Sequence, residues 1–207
     1  MKKMVAFAAV ALLALPALAF GQTLSIGAGP VAGAPGPVFD IGQGQLFEVV
    51  VTMNAGGAAA AAEFVATELL IVAPGVFKLG TAKINNTPLD LGDNALGEYI
   101  LSFGGCEAAT ALELVRVTYG TFSGPVPVDT VMSLRGFQAG DSQPSSFEGR
   151  LGYVDCQDLK FFLQLGGTDG GITGSGIRFP DGACVINGTP LVVDNEAGSM
   201  GQLKGRF

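Results

Sequence analysis

Gln45-Leu46-Phe47-Glu48-Val49-Val50-Val51-Thr52-Met53 is the stretch on which the fold turns. Phe47, Val49 and Val51 alternate with Glu48, Val50 and Thr52, a period of two that puts one apolar row on one side of an extended chain. Asn54 to Gly57 then reads as a turn. The next run, Ala58 to Leu70, is two-sided. Its five consecutive alanines favour helix, while Phe64 and Ala66 alternate with Val65 and Thr67. Alternation from Glu63 onward, bounded by turn residues, predicts a strand.

Working outward, the same rhythm recurs. Residues 23–27 predict a short first strand, and 28–44 an irregular Gly/Pro/Ala connection with a strand edge near Val38 to Ile41. Ala73-Pro74-Gly75 is a turn, Val76 to Ile84 a strand, and Asn85 to Asn94 a polar loop. Tyr99, Leu101 and Phe103 share one face of a strand that begins at Glu98. Ala111 to Phe122 is a long β segment. In Val128 to Gly136, Val128, Thr130, Met132 and Leu134 share a side, and residues 138–150 are loop-like. Amphipathic segments of helical period are missing between these strands, so a βαβ architecture does not fit. The pattern predicts an all-β, antiparallel two-sheet sandwich over 22–150. A small C-terminal extension, 151–193, would pack on it with strands near Gly152–Asp155, Leu159–Gln164 and Cys184–Ile186.

The two ends differ from this body. Lys2 and Lys3 precede an uncharged apolar run, Met4 to Leu15, and Pro16 breaks it. Small residues follow at Ala17, Ala19 and Gly21, so residues 1–21 read as a signal peptide cleaved near Ala19 or Gly21. The run is shorter than the roughly 20 residues a membrane helix needs. A secreted, extracellular or periplasmic protein is expected, without a membrane span after cleavage. Residues 194–207 form a polar tail that ends Gly201-Gln202-Leu203-Lys204-Gly205-Arg206-Phe207. Its apolar and basic residues (Leu203, Lys204, Arg206, Phe207) suggest a docking or sorting element.

Composition excludes several classes of function. The formal net charge is −7, and losing Lys2 and Lys3 makes it more negative. Nucleic acid and anionic lipid partners are therefore disfavoured. His and Trp are both absent. Without imidazole there is no Ser-His-Asp or Cys-His activation and no His ligand for zinc. Gly140-Asp141-Ser142 therefore reads as a turn rather than a nucleophile loop. Glu63, Glu68, Glu98, Glu107, Glu113 and Glu148 are scattered, and no spacing picks out a catalytic pair. A non-enzymatic protein is the expectation.

Binding features remain. Asp90, Asp93 and Asn94 share one loop and are the first candidates for weak calcium binding; otherwise no cofactor is indicated. No stretch matches the spaced EF-hand pattern, and such pairs are also ordinary turn chemistry. Glycan binding would need aromatic faces, and Tyr99, Tyr119 and Tyr153 are the tyrosines that have them, although Tyr99 alternates into the core row. The sequons at Asn85 and Asn187 are too short to carry weight.

The three cysteines are Cys106, Cys156 and Cys184. In an oxidising compartment a disulfide is expected. Cys156 and Cys184 lie in one segment around a Gly-rich loop, and closing it would stabilise the fold by roughly 3–4 kcal/mol. Cys106 would then be a buried apolar residue or an intermolecular link.

Val154-Asp155-Cys156, the later Cys184, Val185-Ile186-Asn187-Gly188-Thr189-Pro190 and the tail together resemble a group of secreted bacterial sandwich proteins of no assigned activity. Their tail pattern is an aromatic residue, Gly, any residue, Leu or Ile, Lys, any residue, Arg or Leu, and a final Tyr or Phe. Met200 stands at the aromatic position. The strand rhythm of 45–136 is also similar to cohesin and related carbohydrate-binding sandwiches. The resemblances bring no activity with them. Together with the excluded chemistries, the expectation is a non-catalytic secreted or cell-surface structural or adhesion module, or alternatively a glycan-binding one. The partner would be a cell-surface protein or an extracellular polysaccharide.

Overall fold

A computed structural model of the chain describes residues 22–55, 62–80, 83–84, 89–121, 124–166, 171–173, 175–176 and 178–189. The signal segment, the alanine run 58–61, the Asn85 sequon and the C-terminal tail lie outside the described residues. Apart from a 3-10 turn at Asn94–Leu96, all regular structure among the described residues is strand. None of it is a helix long and apolar enough to cross a membrane.

In chain order the strands begin with β1 (Thr23–Pro30), β2 (Val38–Phe39), β3 (Phe47–Asn54) and β4 (Ala62–Val72). Short pieces follow: β5 (Phe77–Lys78), β6 (Lys83–Ile84) and β7 (Leu89–Asp90). Then come β8 (Glu98–Ala109), β9 (Ala111–Gly120) and β10 (Thr130–Arg135). The last are β11 (Gly152–Val154), β12 (Lys160–Phe162), β13 (Gln164–Leu165), β14 (Gly171–Ile172), β15 (Arg178–Phe179) and β16 (Cys184–Ile186).

The protein is an all-β sandwich. One sheet runs β13-β1-β3-β9-β5 with β6 also on β9; the other runs β12-β11-β4-β10-β16-β2, with β8 on β4 and β7 on β8. Pairing is antiparallel except for β1 with β13 and β16 with β2. The C-terminal region is woven into both sheets. β11 pairs with β4, β16 with β10, and β13 with β1.

The quoted stretch does what its period requires. Phe47, Val49, Val51 and Met53 are fully buried and meet Phe64, Leu69, Tyr99 and Leu101 of the opposite sheet in one core. Each such side chain contributes about 1.5–3 kcal/mol on burial. In β9 the alternation breaks because the register shifts opposite Val51 and Thr52, so Leu114 and Val115 are both buried. A bulge of this kind turns two successive residues inward.

The cysteine pairing differs from expectation. The disulfide joins Cys106 to Cys156 with Cα atoms 5.3 Å apart, and Cys184 is free and buried. Strand order explains this. β8 and β11 both flank β4, and between Phe64 and Ala66 the β8 register slips, bulging out Cys106 beside the β11–β12 turn. Cys184 instead faces Met132 across β10, inside the core, so a Cys156–Cys184 bond is not formed.

Candidate functional site

The 136–150 loop is the most constructed surface feature. It leaves β10 at Gly136 and returns at Arg150, and these two ends touch. A Cβ on Gly136 would sit 2.3 Å from the Arg150 carbonyl carbon, so only glycine allows the closure. A compact loop with adjoining ends is an Ω-type loop.

Two carboxylates hold it down. On β4, Leu69 and Ile71 face the core, so Glu68 and Leu70 point outward; on β8, Tyr99 and Leu101 face inward and Glu98 outward. Glu68 opposes Ile100 and Leu70 opposes Glu98, which makes the two glutamates diagonal neighbours on adjacent strands. Each is only 1% exposed. Buried carboxylates need hydrogen-bond donors, and the loop supplies them. Glu68 accepts from the Ser145 hydroxyl at 2.6 Å and the Ser146 N–H at 2.9 Å. Glu98 accepts from the Ser142 N–H at 3.0 Å and from the Ser142 hydroxyl. Sequence spacing did not single out this pair, because strand register brings it together.

At the loop's start, Arg135 donates to both Asp141 oxygens, at 2.6 and 2.8 Å, and the Gln138 N–H donates to Asp141 at 2.6 Å. The Arg135 bonds first, and the Gln138 N–H second, pull the Asp141 carboxyl down to about 2. Gly140-Asp141-Ser142 is thus a turn whose hydroxyl is bound to Glu98. At the far end Phe147 is buried over Gly152, where an added Cβ would lie 2.1 Å from the ring.

Beside the loop tip lies an open cleft of about 450 Å³. One wall is apolar, from Leu70 to Pro74 with Leu96; the other carries Glu98, Arg135, Asp141 and Ser142.

Beyond Gly152 the sheet ends at β12, an exposed aromatic edge. Phe161 is stacked on Tyr153 with centroids 5.4 Å apart, and the Arg150 guanidinium sits 3.2 Å from the Phe162 centroid. Leu163 N–H bonds to Leu151 O and Asp155 N–H to Leu159 O. By antiparallel alternation, the peptide groups of Lys160 and Phe162 therefore face away from β11. Nothing in the sequence pattern marked this edge, since Leu159-Lys160-Phe161-Phe162 reads equally well as interior strand.

The tyrosines proposed for stacking are not at the surface. Tyr99, Tyr119 and Tyr153 are 0%, 3% and 8% exposed. Asn187 is also committed internally: its Oδ1 accepts from Ile41 N–H at 2.7 Å and its Nδ2 donates to Val126 O at 2.9 Å.

Asp90, Asp93 and Asn94 do fall together. Asp90 Oδ1 accepts from Gly92 and Ile100 N–H, both at 3.0 Å, and Asp93 caps the 3-10 turn through Ala95 N–H at 3.0 Å. The Lys78 ammonium donates to the Asn94 carbonyl and to the Tyr99 hydroxyl. Burial lowers the Lys78 pKa, and the Asp90 and Asp93 charges oppose that drop. The Lys78 ammonium thus lies beside this loop, while Asp90 Oδ2 and Asn94 Oδ1 are buried without a hydrogen-bond partner among the described residues. Among the described residues, no group of three or more His, Cys, Asp or Glu side chains is placed to hold a metal ion. Leu203, Lys204, Arg206 and Phe207 lie outside the described residues.

No family model matches the chain, and no curated protein matches it at a significant level. Among solved structures the chain is similar to a cohesin module from the family 33 glycoside hydrolase of Clostridium perfringens ATCC13124, at 10% identity and a TM-score of 0.43, over 81% of this chain and 98% of that one.

Proposed function

We propose that the chain is a non-catalytic, exported module that docks a cell-surface protein through the outer face of its larger sheet. The 136–150 loop and the aromatic edge of β12 form the contact. One observation carries this reading. The two buried carboxylates best placed for acid–base work, Glu68 and Glu98, are both occupied by donors of the loop. They hold a surface in shape. The Cys106–Cys156 bond, which tethers the β12 turn, suits an oxidising compartment.

Retention of native surface proteins on the immobilised mature chain tests the proposal. Phe162→Ala and Arg150→Ala are expected to lose retention at unchanged fold. Glu98→Gln is expected to keep it while lowering unfolding stability by about 2 kcal/mol, the worth of hydrogen bonds to a charged group. Turnover of any polysaccharide or peptide substrate that disappears in Glu98→Gln at native stability would overturn the non-catalytic reading. Retention on a polysaccharide array would favour glycan over protein.

A further inference from the structure

Two exposed apolar surfaces flank the 136–150 loop, and they differ in charge. At the β12 edge, Leu159, Phe161 and Phe162 stand beside Lys160 and the Arg150–Glu148 ion pair. At the opposite edge, Leu89 projects from the outer face of β7, Leu91 from the residue just after it, and Leu96 from the 3-10 turn, at 48%, 61% and 59% exposure. The outward direction of Leu89 follows from its register. It opposes Ser102, which opposes Ala66 on the outer row, whereas Asp90 opposes the core residue Leu101. Leu96 continues this shelf into the cleft, whose polar wall holds Glu98 and Asp141 against Arg135, while at the rim Asp90 and the exposed Asp93 outnumber Lys78. The leucine shelf is therefore acidic, and two copies of it would repel one another.

We propose that the shelf is the docking site of this chain's own C-terminal segment, Leu203-Lys204-Gly205-Arg206-Phe207, bound in cis. Leu203 and Phe207 cover Leu91 and Leu96, and Lys204 and Arg206 face Asp93 and the cleft carboxylates. Charge favours the shelf, because at the β12 edge Glu148 is already paired with Arg150 and Lys160 would meet the same cations. Reach permits it. The described chain ends at Thr189, held by Asp129 through N–H and hydroxyl bonds of 2.7 and 3.1 Å. Asp129 adjoins the start of β10, whose last residue, Arg135, lines the cleft about 20 Å along the strand. The residues from 190 to 203 span up to about 45 Å when extended.

The test is photo-cross-linking in the full chain carrying Phe207→p-benzoylphenylalanine, with peptide mapping. Adducts are expected within 89–96 or on the cleft wall at 70–74. Leu91→Asp with Leu96→Asp, both at exposed positions, should lower the yield about tenfold, and so should Lys204→Glu with Arg206→Glu. Adducts at 159–162, or no adduct, would overturn the proposal. In a mixture of isotopically heavy and light chains, adducts between chains would overturn the cis assignment and give the shelf to a second copy.

Discussion

Gly152 and Phe147 show how much a single position decides. The ring occupies the space that a side chain on β11 would fill, and this lets the loop lie flat on the sheet. Gly152→Ala is expected to expel Phe147 and cost about 2 kcal/mol by overpacking. Phe147→Ala in the same chain should recover part of that loss, and a double-mutant cycle in denaturant unfolding checks the coupling. Asp141 supplies a second residue-scale prediction. Its folded pKa, about 2, lies below the ordinary 3.8. A depressed carboxyl contributes stability above the unfolded value and loses it as pH falls through the folded one. The Arg135–Asp141 closure should therefore stabilise the fold fully above about pH 4, lose that contribution between there and about pH 2, and in the folded chain open around pH 2 itself. Carboxyl and Gln138 amide shifts of the folded chain should titrate together with a midpoint near pH 2, and Asp141→Asn should abolish the step. None of these contacts was legible beforehand. Gly152 reads as a weak strand residue and Ser142, Ser145 and Ser146 as loop filler, because their partners lie tens of residues away.

At the scale of elements, the sequence was informative wherever one face of a strand is buried and the other is not. β10 follows its alternation from Thr130 on, with Val128 exposed before it, and β3 and β8 follow theirs along the inner rows, although Val50 and Glu98 are buried on the other face. β4 resolves in favour of Glu63 onward as strand, although alanines precede it, because β8 and β11 pair with both of its edges. Pairing partners were beyond reach, and so therefore was the disulfide. Proximity in sequence suggested Cys156 with Cys184, whereas sheet order puts Cys156 beside Cys106. The bond closes across a separation of 50 residues. Its removal in Cys106→Ser with Cys156→Ser should cost about 4 kcal/mol on the chain-entropy model, measured by denaturant unfolding. Burial pushes the Cys184 thiol up to about 12. A thiol reagent should leave the native chain unlabelled and modify one cysteine, Cys184, once the chain is unfolded without reductant.

Over the whole molecule, the C-terminal third completes what the N-terminal third begins: β13 extends β1, and β16 lies between β10 and β2. Such long-range pairing implies slow, all-or-none folding, since neither sheet is finished until the last strands arrive. The composition told of the class and the excluded chemistries. It could not tell of the outer face, because a solvent-facing leucine and a core leucine look alike in one dimension. The disulfide described above also makes a closed ring of residues 106–156, and the 136–150 loop lies wholly inside that ring. A protease that cuts the loop therefore divides the chain without dividing the molecule. One band should persist on a non-reducing gel and two should appear after reduction. Outside the cell, such a surface would survive its own cleavage in place.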